Sequence, residues 1–272
     1  MPPAPRRNRV CKRAVVRRTE RITPHMIRVV LTSDDFTGNG CTDAYVKLLF
    51  GKDGVEYPEP LDMGVVRETY PSEQWPTMRT YTVRGWDEAT RELTIDFVYH
   101  GDEGVAGPWA ASARPGDVLW FNGPGGAYTP DETADWHLLV GDESALPAIS
   151  AAVEQLAPGA RATVFLEVAD ETEQQKLDTA AEVDLQWFHR TDGTRGDALV
   201  SAVESLDFPP GTPDVFVHGE AGFVFRIRKN LFQDRALPRD QVSLSGYWRL
   251  GTNEDGWQAE KAETRKREEA AS

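Results

Sequence analysis

Cysteine is scarce. Cys11 and Cys41 are the only two in 272 residues, too few and too unpatterned for a disulfide framework or a zinc site, and free thiols suit a reducing cytosol. Long apolar runs are missing as well: no stretch approaches the roughly 18 residues that a membrane-spanning helix needs, so no span is expected. A basic arm with Arg6, Arg7, Arg9, Lys12 and Arg13 opens the chain, but no apolar segment follows it, so it does not read as a secretory signal. Positive charge is in deficit, 30 Lys and Arg against 44 Asp and Glu for a net −14. That argues against a nucleic-acid partner, because phosphate contacts need a basic field. Any anionic substrate must then be met by a local basic patch. His25, His137, His189 and His218 share no metal-ligand spacing, and no metal site is expected from them. There is no nucleophile, base and orienter set, no internal repeat and no low-complexity block.

What is present is a change of period. A chain of this length suits two domains. The first part is extended. Ala14 to Ile22 and Met26 to Thr32 pair around the corner Thr23-Pro24, and Ala44 to Phe50 forms a third strand. Met63 to Gln74 reads as an irregular surface connection. Strands Thr77 to Arg84 and Glu92 to His100 are joined by a turn at Gly85 to Glu88, a short helix covers Pro108 to Ala113, and Val118 to Phe121 is the last strand. Short strands with one brief helix read as a small antiparallel barrel. Beyond Gly123 to Gly126 strands and helices alternate. The strands are Trp136 to Val140, Arg161 to Val168, Asp184 to His189, Pro213 to His218 and Gln241 to Trp248. The helices are Leu146 to Leu156, a weak one over Glu171 to Ala181, Ala198 to Leu206 and Ala221 to Asp234. That alternation predicts a parallel sheet covered on both faces. The expected organisation is a barrel domain over 1–126 with the basic arm at 1–13, an α/β domain over 127–251, and a charged tail over 252–272 with a solvated helix from Gln258 to Ala271.

The stretch from Met78 to Ala110 concentrates the chemistry. Arg79, Thr80, Tyr81, Thr82 and Val83 put a cation, an aromatic ring and two hydroxyls on one strand. His100, Gly101, Gly104, Val105, Ala106, Gly107, Pro108, Trp109 and Ala110 follow as a glycine-rich loop opening a helix. Pro108 suits a first helical position and Gly107 a cap. Free N–H groups at such a helix start attract phosphate, and a guanidinium clamps phosphate well. The combination offers a ring partner, donors along an edge and a pyrophosphate cradle, which are the needs of a flavin dinucleotide. Lys47, inside an otherwise apolar strand, either snorkels from an edge or points a cation into a cleft.

The second half departs from the usual dinucleotide signature. After Leu138 to Val140 stands only Gly141, followed by Asp142, Glu143, Ser144 and Ala145, where three glycines are the rule. Two carboxylates there would repel a pyrophosphate; alternatively Asp142 and Ser144 cap the helix from Ala145. The next strand ends in Glu167 to Asp170, and an acid at that place suits a ribose hydroxyl and opposes a 2′-phosphate, so NADH is expected over NADPH.

Arg79-Thr80-Tyr81-Thr82 resembles the flavin-binding strand of the ferredoxin-reductase superfamily. Together with Asp96 to Gly101, Gly141 to Ala148 and the closing run Gly246 to Gly251, it looks like the siderophore-interacting protein family of ferric-siderophore reductases. The resemblance spans roughly residues 10 to 251. It implies an FAD-binding antiparallel barrel, an α/β nicotinamide-binding-like domain, and a cytoplasmic flavin enzyme that reduces Fe(III) in a siderophore with electrons from NADH or a ferredoxin. On it, Arg79 holds the FAD phosphates, Tyr81 lies along the flavin, Thr82 meets its reactive edge, and His100 with the backbone of Gly104 to Ala110 lines the adenine and pyrophosphate. No side chain is expected to be catalytic, since the flavin carries the chemistry. Lys47 and Arg249 fall at substrate-facing cations, with Lys261 or Arg265 as a third, and a monomer is expected. A general flavin electron-transfer reductase and a siderophore carrier without redox chemistry are the competing readings.

Overall fold

The computed structural model describes residues 10–190, 194–252 and 256–257. The chain divides into two compact units, Met1–Ala127 and Tyr128–Ser272. In the first, six strands close into a barrel: β1 (Lys12–Thr23), β2 (Met26–Thr32), β3 (Tyr45–Phe50), β4 (Thr77–Asp87), β5 (Glu92–Val98) and β6 (Val118–Gly125). Their order is β1-β2-β5-β4-β3-β6 and every neighbouring pair is antiparallel. The two-residue period sends Ile27, Val29 and Leu31, Val46, Leu48 and Phe50, and Leu93, Ile95 and Phe97 into one core. Each such side chain, when fully buried, stabilises by about 1.5–3 kcal/mol. Outside, Arg28 of β2 meets Asp96 of β5 through two bonds of 2.7 Å, a bidentate pair in which the Asp96 side chain is only 2% exposed.

Several elements depart from the sequence expectation. Met63 to Gln74 is not irregular: α1 (Met63–Thr69) and a 3-10 turn over Ser72–Gln74 lie there. Asp62 caps α1 by accepting from the Gly64 N–H at 2.7 Å, and Val66 is buried with Cys11, Leu49 and Leu61 in a small satellite core. β4 runs on through Gly85 and Trp86 to Asp87, whose carboxylate then makes the turn by accepting from Ala89 N–H at 2.8 Å. α2 spans Ala106–Ser112, so Pro108 stands third rather than first, where its missing N–H still costs no helical bond. β6 extends through the glycines to Gly125, because β3 pairs with them.

The second unit is a parallel sheet in the order β11-β10-β7-β8-β9. In chain order it comprises β7 (Trp136–Asp142), α3 (Leu146–Gln155), β8 (Arg161–Val168), β9 (Glu182–His189), α4 (Asp197–Ser205), β10 (Pro213–Glu220), α5 (Ala221–Lys229) and β11 (Val242–Trp248). α3 covers one face through Leu139, Val164, Leu166 and Phe216. α4 and α5 cover the other through Leu138, Val140, Phe165 and Val217. The first strand, β7, is central, and connections leave it towards both edges. That makes the C-terminal ends of β7 and β10 the topological switch point, where open α/β sheets receive ligands. β9 is an edge strand whose Glu182, Asp184 and Gln186 are exposed while the residues between them are half-buried.

The weak helix expected over Glu171 to Ala181 is a single 3-10 turn, Glu171–Glu173: helix-favouring composition without an apolar face finds nothing to pack on. α5 stops at Lys229 and a π turn, Asn230–Asp234, continues it. Among the described residues no helix is long and apolar enough to cross a membrane. Residues 1–9 of the arm and the helix expected over Gln258 to Ala271, with Lys261 and Arg265, lie outside the described residues.

Candidate functional site

In the barrel, the ladder between β4 and β5 begins only at Val83, opposite Ile95. Over Thr77 to Thr82, β4 is laddered to β3 alone, while β5 ends at Val98 and the chain turns away into the glycine loop. Arg79, Thr80, Tyr81 and Thr82 thus stand on a stretch of strand whose second edge is not paired with β5. Tyr81 rests on Phe97 with ring centroids 4.5 Å apart, and Phe97 in turn meets Trp109 of α2 at 5.6 Å. The phenol ring is therefore fixed by the core behind it. Arg79 donates to the Met78 carbonyl at 2.7 Å, Thr82 is buried, and Thr80 is half-buried.

The loop from His100 to Val105 turns on two left-handed glycines, Gly101 at φ +86° and Gly104 at φ +78°. Gly107 serves another purpose. A Cβ there would sit 3.1 Å from the Val98 carbonyl oxygen, so its absence lets α2 approach the end of β5. Ala106 and Ala110 complete that contact with the core. His100 is exposed, and Val105 precedes α2 without a side-chain cap bond. Gly107 is accordingly inside the helix and does not cap it.

Lys47 lies on the outward face of β3, in register with Thr80 of β4 and Asn122 of β6. It is half-buried, and it has no salt bridge to another described residue.

At the switch point of the second unit the carboxylates are engaged. Asp142 is 2% exposed and accepts from the Ser144 N–H at 2.9 Å, the Ser144 hydroxyl at 2.5 Å, the Glu220 N–H at 2.9 Å and the Trp248 indole N–H at 2.9 Å. It ties the ends of β7, β10 and β11 together. Burial, and then the neighbouring Glu143 carboxylate, push its pKa up to about 6 against the pull of those donors. It does not cap α3: Ala145 precedes that helix with no side-chain cap bond, which corrects one of the two sequence readings. Glu143 pairs with Arg190 at 2.5 Å and Arg195 at 3.3 Å. The Glu220 carboxylate accepts from Gly222 and Phe223 N–H and so takes up the start of α5. Gly141 is glycine for packing, since a Cβ would lie 2.7 Å from the Ala145 Cβ and 2.9 Å from the His218 carbonyl oxygen.

The acids on which a preference for NADH rested are also spoken for. Glu167, 4% exposed, receives the Gly196 N–H on both oxygens at 3.1 and 3.0 Å, and burial raises its pKa. Asp170 accepts from the Thr172 N–H and hydroxyl at 2.8 and 2.6 Å. Glu167 is thereby closed to a ribose, whereas Asp170 is exposed. Arg249 follows β11, exposed, with its guanidinium 5.9 Å from the Trp257 ring. Arg190 and Arg195 are the residues that sequence reasoning passed over; their partner Glu143 lies 47 and 52 positions away, and no local signal marks them. Among the described residues no group of His, Cys, Asp or Glu is arranged to hold a metal ion.

Comparison with known proteins adds the following. A family profile described as the siderophore-interacting FAD-binding domain matches residues 15–128, and one described as siderophore-interacting protein matches 134–251. An uncharacterized protein of Mycobacterium tuberculosis is 42% identical over 90% of this chain and 93% of its own length. The ferric vibriobactin reductase ViuB of Vibrio cholerae is 34% identical over 90% of this chain and 91% of its own. The NADPH-dependent ferric-chelate reductase of Escherichia coli is 30% identical over 86% and 91%. A siderophore utilization protein from T. fusca superposes with a TM-score of 0.77 at 36% identity, over 89% of this chain and 94% of that one. A ferredoxin-NADP+ reductase from Plasmodium falciparum shares the fold alone, at a TM-score of 0.63 and 8% identity over 87% and 96%.

Proposed function

The chain belongs to the siderophore-interacting protein family, with a ferredoxin-reductase-like fold, and from that premise we propose that it is an FAD-dependent reductase that takes siderophore-bound Fe(III) to Fe(II) in iron acquisition. The observation that carries the reading is the half-laddered strand β4, which presents Arg79 to Thr82 beside a loop and helix shaped by Gly101, Gly104 and Gly107. These residues fit FAD. Arg79 would hold its phosphates, Tyr81, backed by Phe97, would bear on its ring system, and Thr80, Thr82 and Val83 would offer donors and acceptors along an edge. His100 and the backbone through Ala110, with Trp109, would line the pyrophosphate and adenine.

Bound flavin supplies the conversion between a two-electron hydride and single electrons. The balance is one NAD(P)H and two Fe(III) chelates giving NAD(P)+, one proton and two Fe(II). The chain's own part is position and charge. Lys47 sets an ammonium beside Thr80 in a protein of net charge −14, and we read it as the cation that meets an anionic chelate. Arg249 is read as a second substrate cation on its own unit. Fe(II) is softer than Fe(III) and held less firmly by hard oxygen donors, so reduction loosens the metal.

For the electron donor we propose a reduced nicotinamide dinucleotide bound towards Gly141, Asp142, Glu143, Ser144 and Ala145. NADH was the sequence expectation, but Glu167 and Asp170 are already bonded and the relative in Escherichia coli is named for NADPH. A second reading, a ferredoxin as donor, is favoured by Asp142, Glu143 and Glu220 taking up the places a pyrophosphate would want. The enzyme is read as a cytoplasmic monomer with two free thiols.

The test is spectroscopic. Purified protein is expected to be yellow, to bleach with a donor and to recover on adding ferric siderophore, with NADH, NADPH and a reduced ferredoxin compared under one condition. A colourless protein that still binds ferric siderophore would replace the reductase with a carrier.

A further inference from the structure

At the carboxyl ends of the strands in the second unit, four side chains are linked in a line. Glu143 is the first residue after β7. Arg190 is the first after β9, and its N–H donates to the Val168 carbonyl at 3.0 Å. β8 lies between those two strands, which puts them about 9.6 Å apart. The Arg190 guanidinium that meets Glu143 at 2.5 Å therefore crosses the end of β8, 4.0 Å from Glu167. Arg195 reaches the same Glu143 carboxylate at 3.3 Å and lies 5.5 Å from the ring of Trp248 on β11. The line Arg190–Glu143–Arg195–Trp248 thus runs from the β9 edge to the β11 edge, over the ground where an open α/β sheet receives its ligand.

Glu143 does not cap α3, which begins without a side-chain cap bond. Its contacts instead have the form of a filled anion site, with one guanidinium on each carboxylate oxygen. A fork that holds a carboxylate also holds a phosphate. The site is not sealed, since Arg195 keeps 39% of its side chain in solvent. An incoming phosphate can reach the arginines, but it must take them from Glu143 and then sit beside a like charge, which costs affinity.

We propose that Glu143 is an internal stand-in for a phosphate: Arg190 and Arg195 form an anion site at the switch point, Glu143 fills it, and the exchange of that carboxylate for a dinucleotide phosphate sets the affinity for the electron donor. Glu143 is then a specificity-determining residue that holds nicotinamide dinucleotides to weak binding. The inference rests on the nicotinamide reading of the donor, and its test uses oxidised nucleotides so that no electron transfer is needed.

The FAD-loaded protein is titrated with NAD+ and with NADP+ by calorimetry. Glu143→Gln, which keeps an acceptor but removes the charge, should bind at least one of them about tenfold more tightly than wild type. A larger gain for NADP+ marks the 2′-phosphate as the group received, and equal gains mark the pyrophosphate; either supports the assignment. The gain should disappear when Arg190→Gln or Arg195→Gln is added to Glu143→Gln. Glu182→Gln, the same change of charge on an exposed residue of β9, should bind as wild type does. Urea unfolding checks each variant, and Glu143→Ser removes the charge with less bulk if the amide disturbs the fold. In wild type the Trp248 indole NMR resonance should move as nucleotide binds, because Arg195 is drawn from its place by that ring. No gain in Glu143→Gln or Glu143→Ser, a gain that survives loss of both arginines, an equal gain in Glu182→Gln, or nucleotide binding that leaves Trp248 unmoved overturns the proposal. Flavin reduction is measured separately: a Glu143→Gln protein that gains nucleotide affinity through the arginines, in a chain whose flavin neither NADH nor NADPH reduces, would sink the nicotinamide reading and leave the stand-in anion in place.

Discussion

Replacing Asp142 by asparagine tests how the switch point is held together. Burial raises the carboxyl from an ordinary 3.8 to about 6, so the folded chain holds this proton more tightly than the unfolded chain. The stabilisation is complete below pH 3.8 and is lost as pH rises through about 6. At about 1.36 kcal/mol per unit the whole shift corresponds to about 3 kcal/mol, and about half of it falls between about pH 5 and about pH 7.5. Urea unfolding of wild type and Asp142→Asn across that window is the assay. Wild type should lose about 1 kcal/mol more than the variant on going from the lower to the higher pH, whatever their difference at any single pH. A local readout accompanies it, because the Trp248 indole N–H donates to this carboxylate at 2.9 Å. Its NMR resonance, assigned by loss in Trp248→Phe, should titrate with a midpoint near 6 in wild type and stay still in Asp142→Asn. Parallel stability curves together with a motionless Trp248 resonance would refute the reasoning.

Arg28→Ala strands the Asp96 carboxylate and should cost about 3 kcal/mol in urea unfolding, the low end for a buried pair because Arg28 keeps 29% of its side chain in solvent. Arg28→Lys, with no fork to offer, should recover little of it. Lys47→Glu should raise KM for an anionic ferric siderophore by about tenfold and leave the flavin spectrum as it is; unchanged turnover would remove Lys47 from the site. Gly141→Ala drives a methyl to within 2.7 Å of Ala145 and should destabilise by about 1–3 kcal/mol through overpacking, which denaturant unfolding will report.

How much was legible depended on how local each cause is. The barrel strands announce themselves through Ile27-Val29-Leu31 and Leu93-Ile95-Phe97, whose two-residue period needs no partner to be seen. α1 hides because Met63 to Thr69 carries a glycine and two valines, poor helix formers; Asp62 as cap was the one local cue, and the burial of Val66 against Cys11 is a tertiary cause. Glu171 to Ala181 misleads in the opposite way, with good propensity and no apolar stripe. The flavin strand could be read from Arg79 to Thr82 because its chemistry is contiguous. The fate of Asp142 and Glu143 could not, since it depends on Trp248, Arg190 and Arg195, which the fold brings to the C-terminal end of the sheet from far along the chain.

The edge strand β9 has a consequence for how copies of this protein treat one another. Its outer ladder is a template on which a second β9 could add and lengthen the sheet from molecule to molecule. Glu182 and Asp184, exposed on alternate residues, would meet their own kind there in a parallel, in-register pairing, and like charges placed opposite each other repel. The guard is electrostatic and so has a range: it weakens as salt screens it or as acid neutralises the carboxylates. Concentrated solutions should therefore stay clear at neutral pH and low ionic strength and cloud first when both are moved against those two side chains.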